Sequence, residues 1–152
     1  MVVKKPQNWT EATKESNPKD LLGCKKPSLS VIPWAPVYEA AGGMLEGACK
    51  YARHNYRAVG IRGSVYFDAA LRHLVQWWEG EDIDPDSGVN HIGKALSCLL
   101  VMRDGMMQGK FIDDRPPKQY EGWMADAQKQ VDDVLERYPE DVRKAPYTET
   151  GE

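Results

Sequence analysis

Apolar residues recur at helical spacing through the centre of this chain. One set stands at i, i+4, i+7 and i+11, the spacing of a single buried stripe on an α-helix: Phe67, Leu71, Leu74 and Trp78. A second set recurs at i, i+4, i+8 and i+11, also a helical spacing, but is charged or polar: Asp68, Arg72, Gln76 and Glu79. The stretch therefore predicts a helix ending near Gly80, with a core face beside a charged face. Such a charged face is usually a solvated surface, but here an acid-rich turn and a histidine follow it directly.

Length, charge and cysteine usage restrict the class of protein. A chain of 152 residues is expected to form one domain. Its net charge of −3 gives no general attraction to a polyanion, so nucleic-acid binding is disfavoured. No apolar run approaches the length of a membrane span, and no signal peptide is recognisable. Three scattered cysteines without a CxxC pair fit a reducing cytoplasm, which is the expected location.

Breaker residues and apolar periodicity predict four helices. The first begins just after Pro36. The second covers residues 64–79 with Ser64 as its N-cap, and the third begins after Ser87, also taken as an N-cap. The apolar stripe of the third helix comprises Ile92, Leu96, Leu99, Leu100 and Met102. A weaker fourth helix covers residues 122–138.

These elements predict an all-α bundle of three core helices plus a C-terminal helix. No run with the two-residue period of a strand is long enough to suggest a sheet. The bundle is expected to form a domain over residues 17–138, between a flexible arm (1–16) and a flexible tail (139–152).

Antiparallel packing of neighbouring helices predicts where the acids lie along the bundle. Glu46 stands about two turns before the first helix ends and Asp68 about one turn after the second begins, so the two are expected to face each other. The opposite end is expected to gather Glu39, Glu79, Glu81, Asp84, Asp86 and His91. Asp68 and Glu81 lie about 20 Å apart along the helix, at 1.5 Å per residue. One chain is therefore expected to carry two acidic layers.

Clustered acids in a helix bundle favour binding of a hard cation. Carboxylates raise one another's pKa unless a cation joins them, and oxygen ligands select Mg²⁺ or Mn²⁺. Mg²⁺ commonly takes one or two carboxylates together with substrate phosphates. The basic residues available for phosphate charge are Lys50, Arg53, Arg57 and Arg72. With Tyr51 and Tyr56 available to stack on a base, the pattern favours metal-assisted attack of water on a nucleotide polyphosphate.

Each of these features also has a purely structural explanation. Arg72 and Asp68 form an i,i+4 pair, worth about 0.3 kcal/mol to a helix. His73 equally fits a histidine in the core, and residues 84–88 equally fit a turn before a helix cap. The motifs of several other enzyme classes are absent from the sequence: GxGxxG, the P-loop, GxSxG and the His-Asp dipeptide.

Several separate motifs occur in the order of a known family. They are Asn17-Pro18-Lys19-Asp20, Lys26-Pro27, Gly47-Ala48-x-Lys50-Tyr51, Asn55-Tyr56-Arg57, Ala69-Ala70-x-Arg72-His73, Gly80-Glu81-x-x-Asp84-Pro85-Asp86-Ser87-Gly88 and His91. Over about residues 17–103 the chain resembles the phage and bacterial dATP/dGTP diphosphohydrolase domain, a branch of the MazG-like all-α nucleoside triphosphate pyrophosphohydrolases. It is similar to the MazZ-type enzymes of phages that replace adenine with 2-aminoadenine.

The resemblance implies cleavage of dGTP, or of dATP, to the monophosphate and pyrophosphate with Mg²⁺ or Mn²⁺ as cofactor. In such phages the dGMP would feed synthesis of the modified purine.

Metal ligands are predicted at Glu46, Asp68, Glu81, Asp84 and Asp86, with Glu46 and Glu81 as the catalytic pair. Substrate contacts are predicted at Lys50, Tyr51, Asn55, Arg57, Arg72, His73 and His91.

The chain departs from the MazG-like pattern of ExxE on one helix and ExxD on the next. Glu39 and Glu46 are seven residues apart, and His91-x-x-Lys94 stands where ExxD is expected. This departure leaves a second hypothesis open. The chain could be a nucleotide-binding or scaffold protein on the same fold, without turnover.

The adjacent tryptophans predict an oligomer. Neighbouring residues differ by about 100° around a helix, so Trp77 and Trp78 cannot both lie on one stripe. Trp78 fits the core stripe, so Trp77 is expected at a subunit interface. The alternative is that the fourth helix, with Trp123, covers Trp77 within one chain. The prediction is a dimer or a dimer of dimers with an active site completed across the interface.

Overall fold

The computed structural model describes residues 19, 23 and 26–148. The predicted arm (1–16) and the end of the predicted tail (149–152) lie outside these residues. The elements in chain order are α1 (Trp34–Tyr51), α2 (Asn55–Val59), β1 (Ile61–Arg62), α3 (Gly63–Trp78), α4 (His91–Met107), β2 (Phe111–Ile112) and α5 (Trp123–Arg137). Short 3-10 turns cover Leu29–Val31 and Glu140–Val142. No helix in the described ranges is both long and apolar enough to cross a membrane.

The architecture is all-α, as predicted, except for one very short parallel strand pair. Ile61 of β1 pairs with Phe111 of β2, and Arg62 pairs with Ile112. This strand pair was not predicted, because two residues are too few to show the alternation of apolar and polar residues that marks a strand.

The chain separates into two compact units, Met1–Asp114 and Arg115–Glu152. The first holds α1 to α4 and the strand pair, and the second holds α5. The extent of a single functional domain, residues 17–138, stays a prediction.

Helix α4 is the centre of the first unit, because α1 and α3 both pack against it. In the described part of the chain, α1 and α3 share little direct contact with each other. The expectation that Glu46 of α1 faces Asp68 of α3 is therefore wrong. Helix α2 and β1 intervene between α1 and α3, and each of these two helices packs against α4 rather than against the other.

Small residues allow α1 and α4 to approach closely. A Cβ built on Gly43 would lie 2.6 Å from Ser97 Oγ, and one built on Gly93 would lie 3.1 Å from the Cβ of Glu39. Ser97 Oγ bonds to two carbonyl oxygens, that of Ala40 on α1 at 2.7 Å and that of Gly93 on α4 at 2.8 Å. Glycine at position 43 therefore serves close packing of α1 against α4.

Gly43→Ala should destabilise the protein by about 1–2 kcal/mol, because overpacking and the displaced Ser97 hydroxyl outweigh the better helix propensity of alanine. Gly47→Ala, one turn later on α1, is the matched control, because a Cβ there meets no atom of the described residues within 4 Å. It should stabilise the protein by up to about 1 kcal/mol. Urea denaturation at one protein concentration measures both. Equal effects of the two substitutions would contradict the close contact.

Two predicted helix caps are wrong. The N-cap of α3 is Arg62 rather than Ser64, and the carboxylate of Asp114 accepts hydrogen bonds from the backbone N–H and the hydroxyl of Ser64. The N-cap of α4 is Asn90, whose Oδ1 accepts from the backbone N–H of Ile92 at 2.8 Å. Ser87 instead donates its hydroxyl to Asp84. Helix α1 begins at Trp34, so Pro36 lies in its first turn, where its missing N–H is not needed.

The predicted core stripe of α3 is also wrong, because it faces outward. Its residues remain exposed in the single chain: Phe67 (57%), Leu71 (46%), Leu74 (41%) and Trp78 (77%). The inner face carries Tyr66, Ala70 and His73, of which Ala70 is buried. Ile92, Leu99 and Leu100 of the predicted α4 stripe are exposed as well. Small residues fill the contact with α4, and the large apolar side chains are left outside.

Candidate active site

A cavity of about 570 Å³ lies between α1 and α3, with α4 as its floor. The floor presents residues at helical spacing: Lys94, Ser97, Cys98 and Val101. One wall is formed by Tyr66, Ala69 and His73 of α3. The other wall and one end come from α1 and from the connection to α2, which contribute Glu46, Lys50, Tyr51, Asn55 and Tyr56 among others. The volume lies within the range that holds small-molecule ligands.

Lys94 connects the acids at this cavity. Its ammonium group binds Glu46 Oε2 at 2.8 Å and also binds Asp84 Oδ2. Glu46 is bound in turn by Lys50, one turn further along α1, at 2.5 Å. The side chains of Lys94, Asp84 and Glu46 are all less than a fifth exposed. Acids that were assigned to two separate layers therefore share one cation, and that assignment was wrong.

The charges of this cluster hold one another in the ionised state. Burial would raise the pKa of Asp84, but hydrogen bonds from Lys94, Ser87 and the Asp86 N–H hold it well below its usual range. Burial would lower the pKa of Lys94, yet its bonds to Asp84 and Glu46 leave that pKa raised. Hydrogen bonds from Lys50 and Lys94 lower the pKa of Glu46. At neutral pH two carboxylates therefore face two ammonium groups.

The loop before α4 places Asp84 by its own turn chemistry. Asp84 Oδ1 accepts from the backbone N–H of Asp86, and Oδ2 accepts from the hydroxyl of Ser87 at 2.6 Å. Gly88 closes the turn with a left-handed φ of 69° and donates its N–H to the Asp84 carbonyl. An antiparallel bridge between Ile83 and Asn90 closes the loop. The turn predicted for residues 84–88 is thus present, and it aims the Asp84 carboxylate at Lys94.

Two histidines form a second polar group beside the cavity. His73 Nδ1 lies 2.8 Å from His91 Nδ1, and His91 is fully buried. His91 Nε2 lies 3.4 Å from Glu81 Oε2, without the alignment of a hydrogen bond. Burial, together with the nearby Lys94 and His91, lowers the pKa of His73. His73 lines the cavity, whereas His91 lies behind it.

The end of the cavity next to α2 is aromatic and has a strained backbone. Tyr51, Tyr56 and Tyr66 line it, and burial raises the pKa of Tyr66. Ala52 and His54, between α1 and α2, have positive φ values of 74° and 58°. Such conformations cost about 1–3 kcal/mol each in residues other than glycine and are concentrated at functional sites.

The sequence matches the family described as dATP/dGTP diphosphohydrolase, N-terminal, over residues 16–115, about two thirds of the chain. The chain belongs to this family. The match ends where the first compact unit ends, so the family residues form the unit that contains the cavity. The family name indicates dATP/dGTP diphosphohydrolase activity and a nucleotide substrate. No curated protein and no solved structure matches the chain.

This member of the family brings some of the predicted site residues together. Those at the cavity are Glu46, Lys50, Tyr51, Asn55 and His73, with Asp84 joined through Lys94. Glu81 and His91 stand behind His73. Asp68 and Arg72 line a separate surface pocket on the outer side of α3, and Asp86 is exposed in the loop. Arg57 makes a two-point ion pair with Asp104 of α4.

The cluster around Lys94 contains two carboxylates, the type of donor that a hard metal ion prefers. Among residues 26–148, no three His, Cys, Asp or Glu side chains lie close enough to bind one ion. Within one chain the five predicted ligands therefore do not converge. Glu46 and Asp84 do share a cation, and two carboxylates completed by substrate phosphates are a common environment for Mg²⁺.

Sequence reasoning missed Lys94 as a site residue, together with Tyr66, Ser97 and Cys98. Lys94, Ser97, Cys98 and Val101 stand at i, i+3, i+4 and i+7, which was a signal that they share one face of α4. The apolar stripe drew attention instead to Ile92, Leu99 and Leu100, which lie on the exposed side.

Proposed function

We propose that the chain is a Mg²⁺- or Mn²⁺-dependent pyrophosphohydrolase that converts dGTP or dATP to the monophosphate and pyrophosphate. The observation that carries the proposal is the cluster at one end of the cavity, where Lys94 joins Glu46 to Asp84 beside Lys50. Its carboxylates offer metal ligands, and its ammonium groups offer charge for the phosphates that the metal carries.

We assign different roles to the two ends of the cavity, the Lys94 cluster and the aromatic end. Glu46 and Asp84 hold the metal, which when bound neutralises phosphate charge and polarises the phosphorus under attack. Lys50 and Lys94 bind phosphate oxygens, and Tyr51 and Asn55 contact the nucleoside among the other tyrosines. Glu81 and Asp86 leave the proposed metal set, and Asp68 leaves the set formed within one chain, because none of them joins the Lys94 cluster.

Incubation with each dNTP, in the presence of Mg²⁺ or Mn²⁺, tests the reaction directly. Chromatography should show a deoxynucleoside monophosphate and pyrophosphate in equal amounts, with dGTP or dATP preferred over the pyrimidine triphosphates. Inorganic phosphate as the first product, or intact triphosphate at stoichiometric enzyme, would rule out the proposed reaction.

The proposed setting is phage purine metabolism as in MazZ-type enzymes, where dGMP supports synthesis of 2-aminoadenine DNA in the host cytoplasm.

A second candidate function is nucleotide binding without turnover. It is favoured by the Lys94 ammonium, which already forms ion pairs with the two carboxylates that would hold a metal. Calorimetry separates the two candidates. Tight binding of dGTP with no product formed in Mg²⁺ or Mn²⁺ would favour the scaffold, whereas monophosphate production excludes it.

We also propose that the chain forms a dimer or a dimer of dimers through the outer face of α3. Large apolar side chains are exposed there in the single chain, and an exposed patch of this kind usually marks an interface. The interface position of Trp77, which is 40% exposed, stays a prediction.

Leu71→Glu should dissociate the oligomer, because it places a charge at the centre of the exposed α3 face. Light scattering should give a multiple of the 17.2 kDa chain mass for the wild type and a mass near 17.2 kDa for the variant. Val59→Glu is the control, since Val59 is 78% exposed but belongs to α2. A wild-type mass near that of one chain would rule out the oligomer.

The location of Asp68 and Arg72 on the same outer side of α3 allows a partner chain to complete the site. Inactive Glu46→Ala and Asp68→Ala chains, mixed under conditions of subunit exchange, should then recover activity. No recovery despite exchange would place all functional groups within one chain.

A further inference from the structure

The buried histidine behind the cavity has no part in the proposed binding of metal or phosphate. His91 is fully buried, and its Nε2 atom has no hydrogen-bond partner among the residues that the structure describes. A buried polar nitrogen without a partner is unfavourable, and the carboxylate oxygen Oε2 of Glu81 lies 3.4 Å from it. The amide of Gln76 holds the same oxygen at 3.1 Å, which fixes the carboxylate beside the ring.

The carboxylate selects the tautomer of both histidines. A carboxylate only accepts hydrogen bonds, so the proton of neutral His91 belongs on Nε2, facing Glu81. The Nδ1 atom of His91 is then an acceptor, and the Nδ1 atom of His73, 2.8 Å away, must be the donor. This leaves Nε2 of His73 with a free lone pair. If the proton were on His91 Nδ1 instead, the lone pair of Nε2 would face a lone pair of the Glu81 carboxylate.

We propose that Glu81, His91 and His73 form a proton-holding chain in which His73 is the general base of the reaction. The inference rests on the proposed pyrophosphohydrolase function. A new bond forms between the water oxygen and the α-phosphorus while the bond from phosphorus to pyrophosphate breaks, and its electron pair leaves with the pyrophosphate. One proton of the water passes to His73 Nε2. His91 and Glu81 are positioning residues, because they act on the water only through His73.

The surroundings of His73 suit a base that must be neutral before it reacts. Charged and titratable groups face it from every adjacent element: Lys94 and His91 of α4, Asp84 of the loop and Arg72 of its own helix. Burial, together with Lys94, His91 and Arg72, lowers the pKa of His73 against the opposing effect of Asp84. The ring is therefore uncharged at neutral pH. In the described part of the chain, neither Glu46 nor Asp84, the proposed metal ligands, hydrogen-bonds to either histidine.

Nitrogen-15 NMR of the imidazoles tests the proposed proton positions without requiring activity. The protein has three histidines, so His73→Asn and His91→Asn assign the signals. His73 should be protonated at Nδ1 and His91 at Nε2 near neutral pH. The reverse tautomers, or a charged His91, would overturn the proposal even in an inactive protein.

Kinetics of the variants test the role of His73. His73→Asn retains an amide N–H at the position of Nδ1 but has no atom at Nε2, so the bond to His91 can persist while the base is lost. We expect kcat to fall about 10²–10⁴-fold, with KM within about three-fold and the ascending limb of the pH profile removed. Unchanged kcat in an active protein would overturn the proposal and leave the proposed function intact.

Glu81→Gln keeps the shape of an exposed side chain and is therefore expected to fold. The carboxylate stabilises the imidazolium of His73 through His91, so its removal lowers the pKa of His73. The ascending limb should shift to lower pH, and kcat should fall about ten-fold at its plateau, because a weaker base accepts the proton less readily. A profile unchanged in both height and position would show that the pair is only structural. Absence of hydrolysis by the wild type would instead refute the proposed function, and the NMR result would then decide the proton chain.

Discussion

Glu46→Gln should reduce dGTP hydrolysis by about 100-fold or more, because the substitution removes a proposed metal ligand while keeping the side-chain volume. Glu46 is the cavity carboxylate that both Lys50 and Lys94 bind. Its amide would bind a divalent cation weakly, so the metal concentration at half-maximal rate should rise at least about ten-fold. Initial rates over a Mn²⁺ titration measure both effects.

Glu39→Gln provides the matched control for this substitution. Glu39 lies two turns earlier on the same helix, is exposed, and does not line the cavity. Its substitution removes the same charge from α1, so any general electrostatic effect on the substrate appears in both variants. We expect Glu39→Gln to stay within about three-fold of the wild type. If Glu46→Gln behaves in the same way, the metal site cannot depend on Glu46.

Local chemistry was enough to predict the helices and the turn. Apolar spacing, Pro36 and Gly80 placed three core helices within a few residues of their observed limits, and the Asp84–Gly88 turn formed as its residue types require. The motifs also led to the correct family. All of these features depend on residues close together in the chain.

Which face of each helix is buried within the chain could not be predicted in the same way. Apolar spacing shows that Phe67 and Trp78 share a stripe, but it does not tell whether that stripe packs within one chain or against another. In this fold glycine, alanine and serine form the contact between α1 and α4, and their small side chains give a weak apolar signal. The larger stripe was therefore assigned to the core incorrectly.

The site depends on contacts between distant residues, which explains what was missed. Lys94 resembles a solvated lysine until Glu46, 48 residues earlier, and Asp84, ten residues earlier, are seen to share it. His91 was expected to touch the substrate, yet the fold buries it behind His73. No sequence motif specifies these contacts, because the packing of α1, α3 and the Asp84 loop against α4 creates them.

Lys94→Met should lower the free energy of unfolding by about 3 kcal/mol, because it leaves the carboxylate of Asp84 buried without its cation. In the wild type the lowered pKa values of Asp84 and Glu46 give stability that is present above about pH 4 and is lost as pH falls through the folded-state values. Without Lys94 the buried Asp84 should bind its proton more tightly than the unfolded chain does. The stability of the variant should then decrease, rather than increase, as pH rises from about 4 to 6. Urea denaturation across this range, at one protein concentration, measures the slope.

A double-mutant cycle separates the buried pair from general loss of packing. Lys50→Met is the first control, because Lys50 is about half exposed and its i,i+4 pair with Glu46 should contribute only about 0.3 kcal/mol. Asp84→Asn in the Lys94→Met background removes the unpaired charge and should recover about 2 kcal/mol, so the two substitutions are far from additive. The double variant should also lose the reversed pH slope, since the titrating carboxyl is gone. Additive effects, with an unchanged slope in Lys94→Met, would mean that Lys94 and Asp84 do not form the buried ion pair on which the proposed phosphate and metal site depends.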